Sequence, residues 1–253
     1  MRVLVRTAVA LAVVTAVVTF IGPGSSSAQI PDKFENLELL PKDISKRELT
    51  GVMRNFSHAL GVRCTECHLS KKEGSDRLED LDFASDEKPE KKAARQMMRM
   101  VGSINEQIGK MGFKNPTRVG CMTCHHGVKH PETLSAVLMR AMENGGVDAG
   151  IERYRTLREQ YYGRAAYDFS EEALVEIAAD VADSKKDFGG ALRLLELNLE
   201  FYPKHADTYV TMGRVQLASG DRAAAVASYE KALEINPNHR WAKQQLEQAK
   251  SGK

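Results

Sequence analysis

The chain has 253 residues, of which 42% are hydrophobic and 28% charged, with a net charge of +2. Its mean hydropathy is −0.39. This is a globular composition with enough residues for one or two cored domains. The near balance of charge argues against nucleic acid or an anionic surface as partner.

The first 29 residues read MRVLVRTAVALAVVTAVVTFIGPGSSSAQ. Arg2 and Arg6 precede an apolar run from Ala8 to Ile21, and Ser26-Ser27-Ala28 offers a small-residue cleavage point. These are the parts of a secretory signal peptide over residues 1–28. The run is short for a membrane span, which needs about 20 residues. An uncleaved N-terminal anchor is the alternative and the one route to a membrane. The expected location is periplasmic or otherwise extracytoplasmic, in a bacterial export setting. Cleavage would remove two arginines and no acid, which brings the charge of the remainder to about zero.

Next comes an amphipathic helix whose stripe is Leu49, Val52, Met53, Phe56 and Leu60. It leads into GVRCTECHLS at 61–70. Residues 71–95 mix both signs of charge and read as a solvated, partly irregular segment. A second amphipathic helix follows in KKAARQMMRMVGSINEQIGKMG. Met97, Val101, Ile104, Ile108 and Met111 form its expected stripe, with Met100 at the edge and Met98 pointing away, and Gly112 ends it. RVGCMTCHHGVKHP then occupies 118–131.

All four cysteines fall in two Cys-x-x-Cys-His motifs. Two disulfides, redox-active CxxC pairs or a four-cysteine zinc site would fit the cysteines alone. The histidines at 68 and 125 favour c-type haem attachment. There two thiols add to the two vinyl groups of haem, and the adjacent imidazole ligates the iron. Positions i, i+3 and i+4 share one face of a helical turn, as that chemistry requires. The expectation is two haem c groups. Cys64 and Cys67 hold one and Cys121 and Cys124 the other, with His68 and His125 as proximal ligands. The sixth ligand decides function: a thioether closes the iron and raises its potential, while an open position admits peroxide. Met53 is a candidate for the first haem. Spacing does not choose among Met97, Met100 and Met111 for the second. His58, His126 and His130 read as surface or packing histidines.

NLELLPKDISKRELTGVMRNFSHALGVRCTECH, DFASDEKPEKKAARQMMRMVGSIN and VGCMTCHHGVKHP together resemble half of the tetrahaem cytochrome subunit of photosynthetic reaction centres, over roughly residues 36–134. The pattern includes Cys-x-x-Cys-His-x-Gly, here Cys121 to Gly127, ahead of Pro131. The resemblance implies Met53 as axial ligand of the first haem and, through Arg-Met-Val-x-x-Ile-Asn, Met100 as that of the second. In that family one haem takes a distal histidine from the opposite half. This chain has one half, so a partner chain or a local methionine fills the site, or it stays open. The membrane-anchoring cysteine is also absent.

Asn144-Gly145-Gly146 breaks the chain after an expected helix at 132–143. An internal repeat follows: LLELNLEFYPKH ends at Pro203 and YEKALEINPNH at Pro237, 34 residues apart, which is the tetratricopeptide period. Tyr209, Gly213, Ala225, Tyr229, Ala232 and Pro237 fill the pattern of one unit, 206–239. Val175, Ala179, Ala191, Leu195 and Pro203 match 172–205 more weakly. Arg240 to Lys250 reads as a capping helix.

The expected fold is all-α: a dihaem domain over 29–145 and a helical-repeat domain over 150–253. The expected function is single-electron transfer between a redox donor and acceptor, with no side chain doing chemistry. The enzyme alternative is a dihaem peroxidase or reductase with one open iron. The interaction alternative is a repeat scaffold with a protein in its groove. A second copy of the chain is a further partner left open.

Overall fold

The computed structural model describes residues 30–251. The expected signal peptide lies outside them. Among the described residues no helix is long and apolar enough to cross a membrane. The fold is all-α apart from one short antiparallel ribbon, β1 (Leu69–Ser70) with β2 (Leu81–Asp82).

Helix α1 is Lys46–Leu60. Ser45 and Glu48 form a capping box, in which each satisfies the other's backbone N–H. Gly61, at φ +65°, ends the helix in the left-handed conformation. The predicted stripe is the inward one: Leu49 is buried and Val52, Met53, Phe56 and Leu60 are half-buried.

Helix α2 is Pro89–Lys110. Here the predicted stripe needs correcting. Met97, Met100 and Met111 are 46%, 50% and 62% exposed, while Met98 is half-buried along with Ala94, Val101, Asn105 and Ile108. The inward face holds 94, 98, 101, 104, 105 and 108. The predicted Val101, Ile104 and Ile108 are on it, but Met97 and Met111 are not: a reading that tracked only large apolar residues passed over Ala94 and Asn105 and chose Met97 over Met98.

A five-residue helix, α3, covers Cys121–His125. Helix α4 runs Leu134–Tyr161, with non-helical backbone at Gly145 and Gly146. The expected break at 144–146 is thus a kink, after which the helix resumes. Leu134, Val137 and Leu138, before the kink, share one core with Tyr154 and Leu157 after it and with Leu174, Leu194 and Leu195. By packing, the expected division between 145 and 150 therefore runs through α4.

The rest is a helical array: α5 (Ala173–Asp180), α6 (Phe188–Phe201), α7 (Ala206–Ala218), α8 (Arg222–Ile235) and α9 (Arg240–Ser251). The repeat is visible in its caps. Asp187 accepts from Gly190 N–H at 2.8 Å and Asp221 from Ala224 N–H at 2.9 Å. It is visible again at His205 and His239. His205 Nε2 lies 2.9 Å from Glu172, and His239 Nε2 lies 2.9 Å from Asp207, so each histidine, at the end of its unit, reaches back to that unit's start. Arg158 joins α4 to the array, stacking 4.2 Å from the Tyr162 ring centroid and 4.3 Å from that of Phe201.

Gly213 sits against the fully buried Tyr229 ring, and a Cβ there would lie 2.6 Å from that ring. Gly213→Ala should therefore destabilise the array by about 1–3 kcal/mol through overpacking. Thermal unfolding followed by circular dichroism checks this; an unchanged melting temperature would mean that α7 and α8 do not pack as described.

Candidate haem-attachment site

Both motifs fold as single tight turns. Cys64–Glu66 is a 3-10 turn, and the N–H groups of Cys67 and His68 donate to the Cys64 carbonyl at 3.2 and 3.0 Å. The second motif is α3 itself, with Gly120 N–H donating to Thr123 Oγ1 at 3.0 Å. One turn of backbone thus carries two sulfurs and the following imidazole in each case. All four thiols are unpaired. Burial is the main reason the Cys67 thiol is pushed above its ordinary pKa.

The two histidines are held differently. His125 Nδ1 lies 2.9 Å from the Val128 carbonyl, and Val128 N–H donates back to the His125 carbonyl at 2.8 Å. Donation from Nδ1 leaves the Nε2 lone pair free for a metal. His126, next in the chain, is left-handed at φ +48° and reverses the backbone. His68 packs edge-on against Phe83, with ring centroids 5.0 Å apart. Its Nδ1 is buried without a partner. Burial, helped by the Lys91 charge, pushes its pKa down to about 4, so the ring is neutral at pH 7.

The chain brings the motifs together at a pair of glycines. Gly127 N–H, just after the second motif, donates to Ala59 C=O near the end of α1 at 2.9 Å. A Cβ on Gly61, just before the first motif, would be driven into the Gly127 carbonyl oxygen. Both glycines have positive φ, +65° and +85°. Lys129 adds an ionic tie, pairing with Glu66 inside the first motif and with Glu90 of α2 at 3.4 Å. Lys88 donates to the Thr65 carbonyl from the other side.

Asn105 fixes the approach to the second motif. Its Nδ2 donates to the Val119 carbonyl at 2.9 Å, and its Oδ1 accepts from Val119 N–H at 2.8 Å. The segment entering Cys121 is thereby held to α2. The only sequence signal for this was a polar residue in an apolar stripe. Lys91 and Arg95, also on the inward face of α2, converge on Asp86, each at 2.9 Å. Lys91 also donates to the carbonyls of Phe83, Ala84 and Ser85. Arg95, Asn36 and Lys91 together hold Asp86 well below the usual carboxylate range.

Met53 lies half-buried on α1, whose C-terminal end runs into the first motif. Met97 and Met100 lie on an exposed face of α2. These residues suit a large apolar group. Between Ile30 and Pro131 the only buried hydrophobic residues are Leu49, Ala59 and Leu81, too few to hold about a hundred residues together. The thiols, imidazoles and thioethers present are the donors that haem c uses.

An all-α body with two Cys-x-x-Cys-His turns, joined to a helical array, is what a c-type cytochrome segment fused to tetratricopeptide repeats would show. The comparisons agree. Residues 76–161 match the photosynthetic reaction centre cytochrome C subunit family, a span that contains the second motif and α4, and residues 206–239 match a tetratricopeptide repeat. Cytochrome c-554 of Chloroflexus aurantiacus is 36% identical over 92 residues, covering 36% of this chain and 20% of that protein. The photosynthetic reaction center cytochrome c subunit of Thermochromatium tepidum is 31% identical over 103 residues, covering 36% of this chain and 24% of that protein. The chain thus spans about a fifth to a quarter of the length of the curated relatives it matches. The first tetratricopeptide domain of Spaghetti (RPAP3), solved with an HSP90 peptide, is 19% identical, covers 47% of this chain and 89% of its own, and has a TM-score of 0.32.

Two outcomes follow. Gly61→Ala should loosen both motifs at once, lowering the yield of folded protein and its melting temperature, whereas Gly51→Ala, in open space on α1, should not. Equal behaviour of the two variants would refute the glycine contact. Asp86 contributes stability above the ordinary aspartate pKa of 3.8, and that contribution is lost as pH falls below it toward the depressed folded value. Asp86→Asn should therefore make the chain less stable at pH 7 but less sensitive to acid between about pH 5 and 2, as read by denaturant titration.

Proposed function

We propose that the protein is an exported dihaem c-type cytochrome that passes single electrons between redox partners. The observation that carries the reading is the convergence of two complete Cys-x-x-Cys-His turns on one glycine contact, in a region with almost no apolar core of its own. Haem, when bound, supplies the one-electron iron couple. Cys64 and Cys67, and Cys121 and Cys124, would hold the two groups covalently. His68 and His125 would present their imidazoles to the irons, His125 oriented by the Val128 carbonyl. Met53 would offer a thioether from α1, and Met100 one from α2. Thioether ligation favours the reduced iron and keeps small oxidants away. In this reading the dihaem region is 29–145, α4 is shared by both bodies, and the repeats of 150–253 buttress the cytochrome or offer a surface to a protein partner.

Changing Cys64 and Cys67 to Ala should leave one covalent haem per chain, and changing Cys121 and Cys124 as well should leave none, on haem-stained denaturing gels. Two haems in the first variant would contradict the assignment. Met53→His exchanges a weak donor for one that favours ferric iron, so one midpoint potential should fall while the other barely moves. Met100→His should do the same at the second haem. If Met100→His leaves both potentials in place, the second iron takes its ligand elsewhere or has none. Steady peroxide turnover by the native protein would then favour the peroxidase alternative.

A further inference from the structure

The stretch entering the second motif has a character that attachment does not require. From Gln107 to Pro131 the sequence holds Lys110, Lys114, Arg118 and Lys129 and no aspartate or glutamate. Residues 111–118, Met-Gly-Phe-Lys-Asn-Pro-Thr-Arg, are exposed without exception. Phe113 is 64% exposed, and Met122, between the two cysteines, is 38% exposed. Lys129 is engaged with Glu66 and Glu90, and Lys110 with Glu106 at 2.6 Å. Lys114 and Arg118 make no ion pair among the described residues.

This loop is exposed but anchored. Its first end leaves α2 through Gly112 at φ +74°, and its last is fixed by the paired Asn105–Val119 hydrogen bonds. An aromatic ring followed by two unpaired cations, eight residues ahead of Cys121, has the composition of an interface: an apolar anchor beside a charged rim. Phe113 and Met111, 64% and 62% exposed, are the most exposed of the large apolar side chains among the described residues and lie two positions apart in this loop.

We infer that the 110–118 loop, with Met122, is the docking surface for an acidic redox protein at the second haem. This rests on the cytochrome reading above. Charge complementarity selects the partner: Lys114 and Arg118 steer a negatively charged protein, and Phe113 seats against apolar surface on it. An anionic membrane fits less well, since lipid recognition draws on clusters of four to eight cations and this loop has two free ones. Cys121 and Cys124 would hold the second haem covalently a few residues beyond Arg118, so a partner docked on the loop would have a short path for one electron, supplied by the iron couple with no bond made or broken.

The test is stopped-flow electron transfer between the holoprotein and plastocyanin, an acidic copper protein, with the basic horse cytochrome c as control, each mixed in the direction its potential allows. The native rate with plastocyanin should fall steeply as salt rises. Lys114→Glu with Arg118→Glu should lower it about tenfold or more at low salt and flatten the salt dependence, while the rate with horse cytochrome c rises. Phe113→Ala should lower the plastocyanin rate and leave its salt slope intact. Haem content and both midpoint potentials are measured on every variant and should match the native protein. Unchanged rates in variants that carry both haems would overturn the docking surface and leave the cytochrome reading standing. A purified chain without covalent haem would overturn both. Binding of the native protein to phosphatidylglycerol vesicles, lost in the double variant, together with salt-independent plastocyanin rates, would assign the loop to a membrane and overturn the inference.

Discussion

The arrangement depends on one backbone contact. Ala59 C=O at the end of α1 accepts from Gly127 N–H, and Gly61 comes so close to the Gly127 carbonyl that no side chain fits between them. This contact sits just before the first Cys-x-x-Cys-His turn and just after the second. Two motifs more than fifty residues apart are therefore held as one object. Any side chain at Gly61 would force the two turns apart.

Around that contact, polar chemistry replaces the core that the region lacks. Lys129 links the first motif to the second, and Lys88 caps a carbonyl inside the first. Lys91 and Arg95 gather Asp86 and the carbonyls of residues 83–85 at the start of α2. Asn105 holds the entry to α3. Exposed ion pairs contribute little individually, but Lys91 and Arg95 are largely buried and tie the start of α2 to the preceding loop, on the face of the helix opposite Met97. The C-terminal array is built the opposite way, from two apolar clusters: one gathers α4, α5 and α6, and the other gathers α7, α8 and α9, with small residues such as Gly213 and Ala225 beside Tyr229. α4 enters the first cluster on both sides of its kink.

What the sequence revealed and what it concealed divide along physical lines. The Cys-x-x-Cys-His turns, the stripe of α1 and the repeat at 206–239 were legible because each rests on local spacing. The outward placement of Met97 was not: Met98 takes the inward position, on the face that also carries Ala94 and Asn105, a small residue and a polar one that hydrophobicity alone passes over. Nor was the continuation of α4 past Gly145-Gly146: two glycines signal a break, but core contacts on both sides hold the helix together. The pairing of Gly61 with Gly127 and the bridge from Lys129 to Glu66 link residues over sixty positions apart, and no spacing rule reaches that far.

The central claim is that both motifs of a single chain hold haem covalently. The intact mass of the exported protein, measured under denaturing conditions, tests it most directly. The account predicts a single dominant species heavier than the polypeptide by two haems. A chain at the bare polypeptide mass, or one heavier by a zinc ion or lighter by the hydrogens lost to two disulfides, would contradict it.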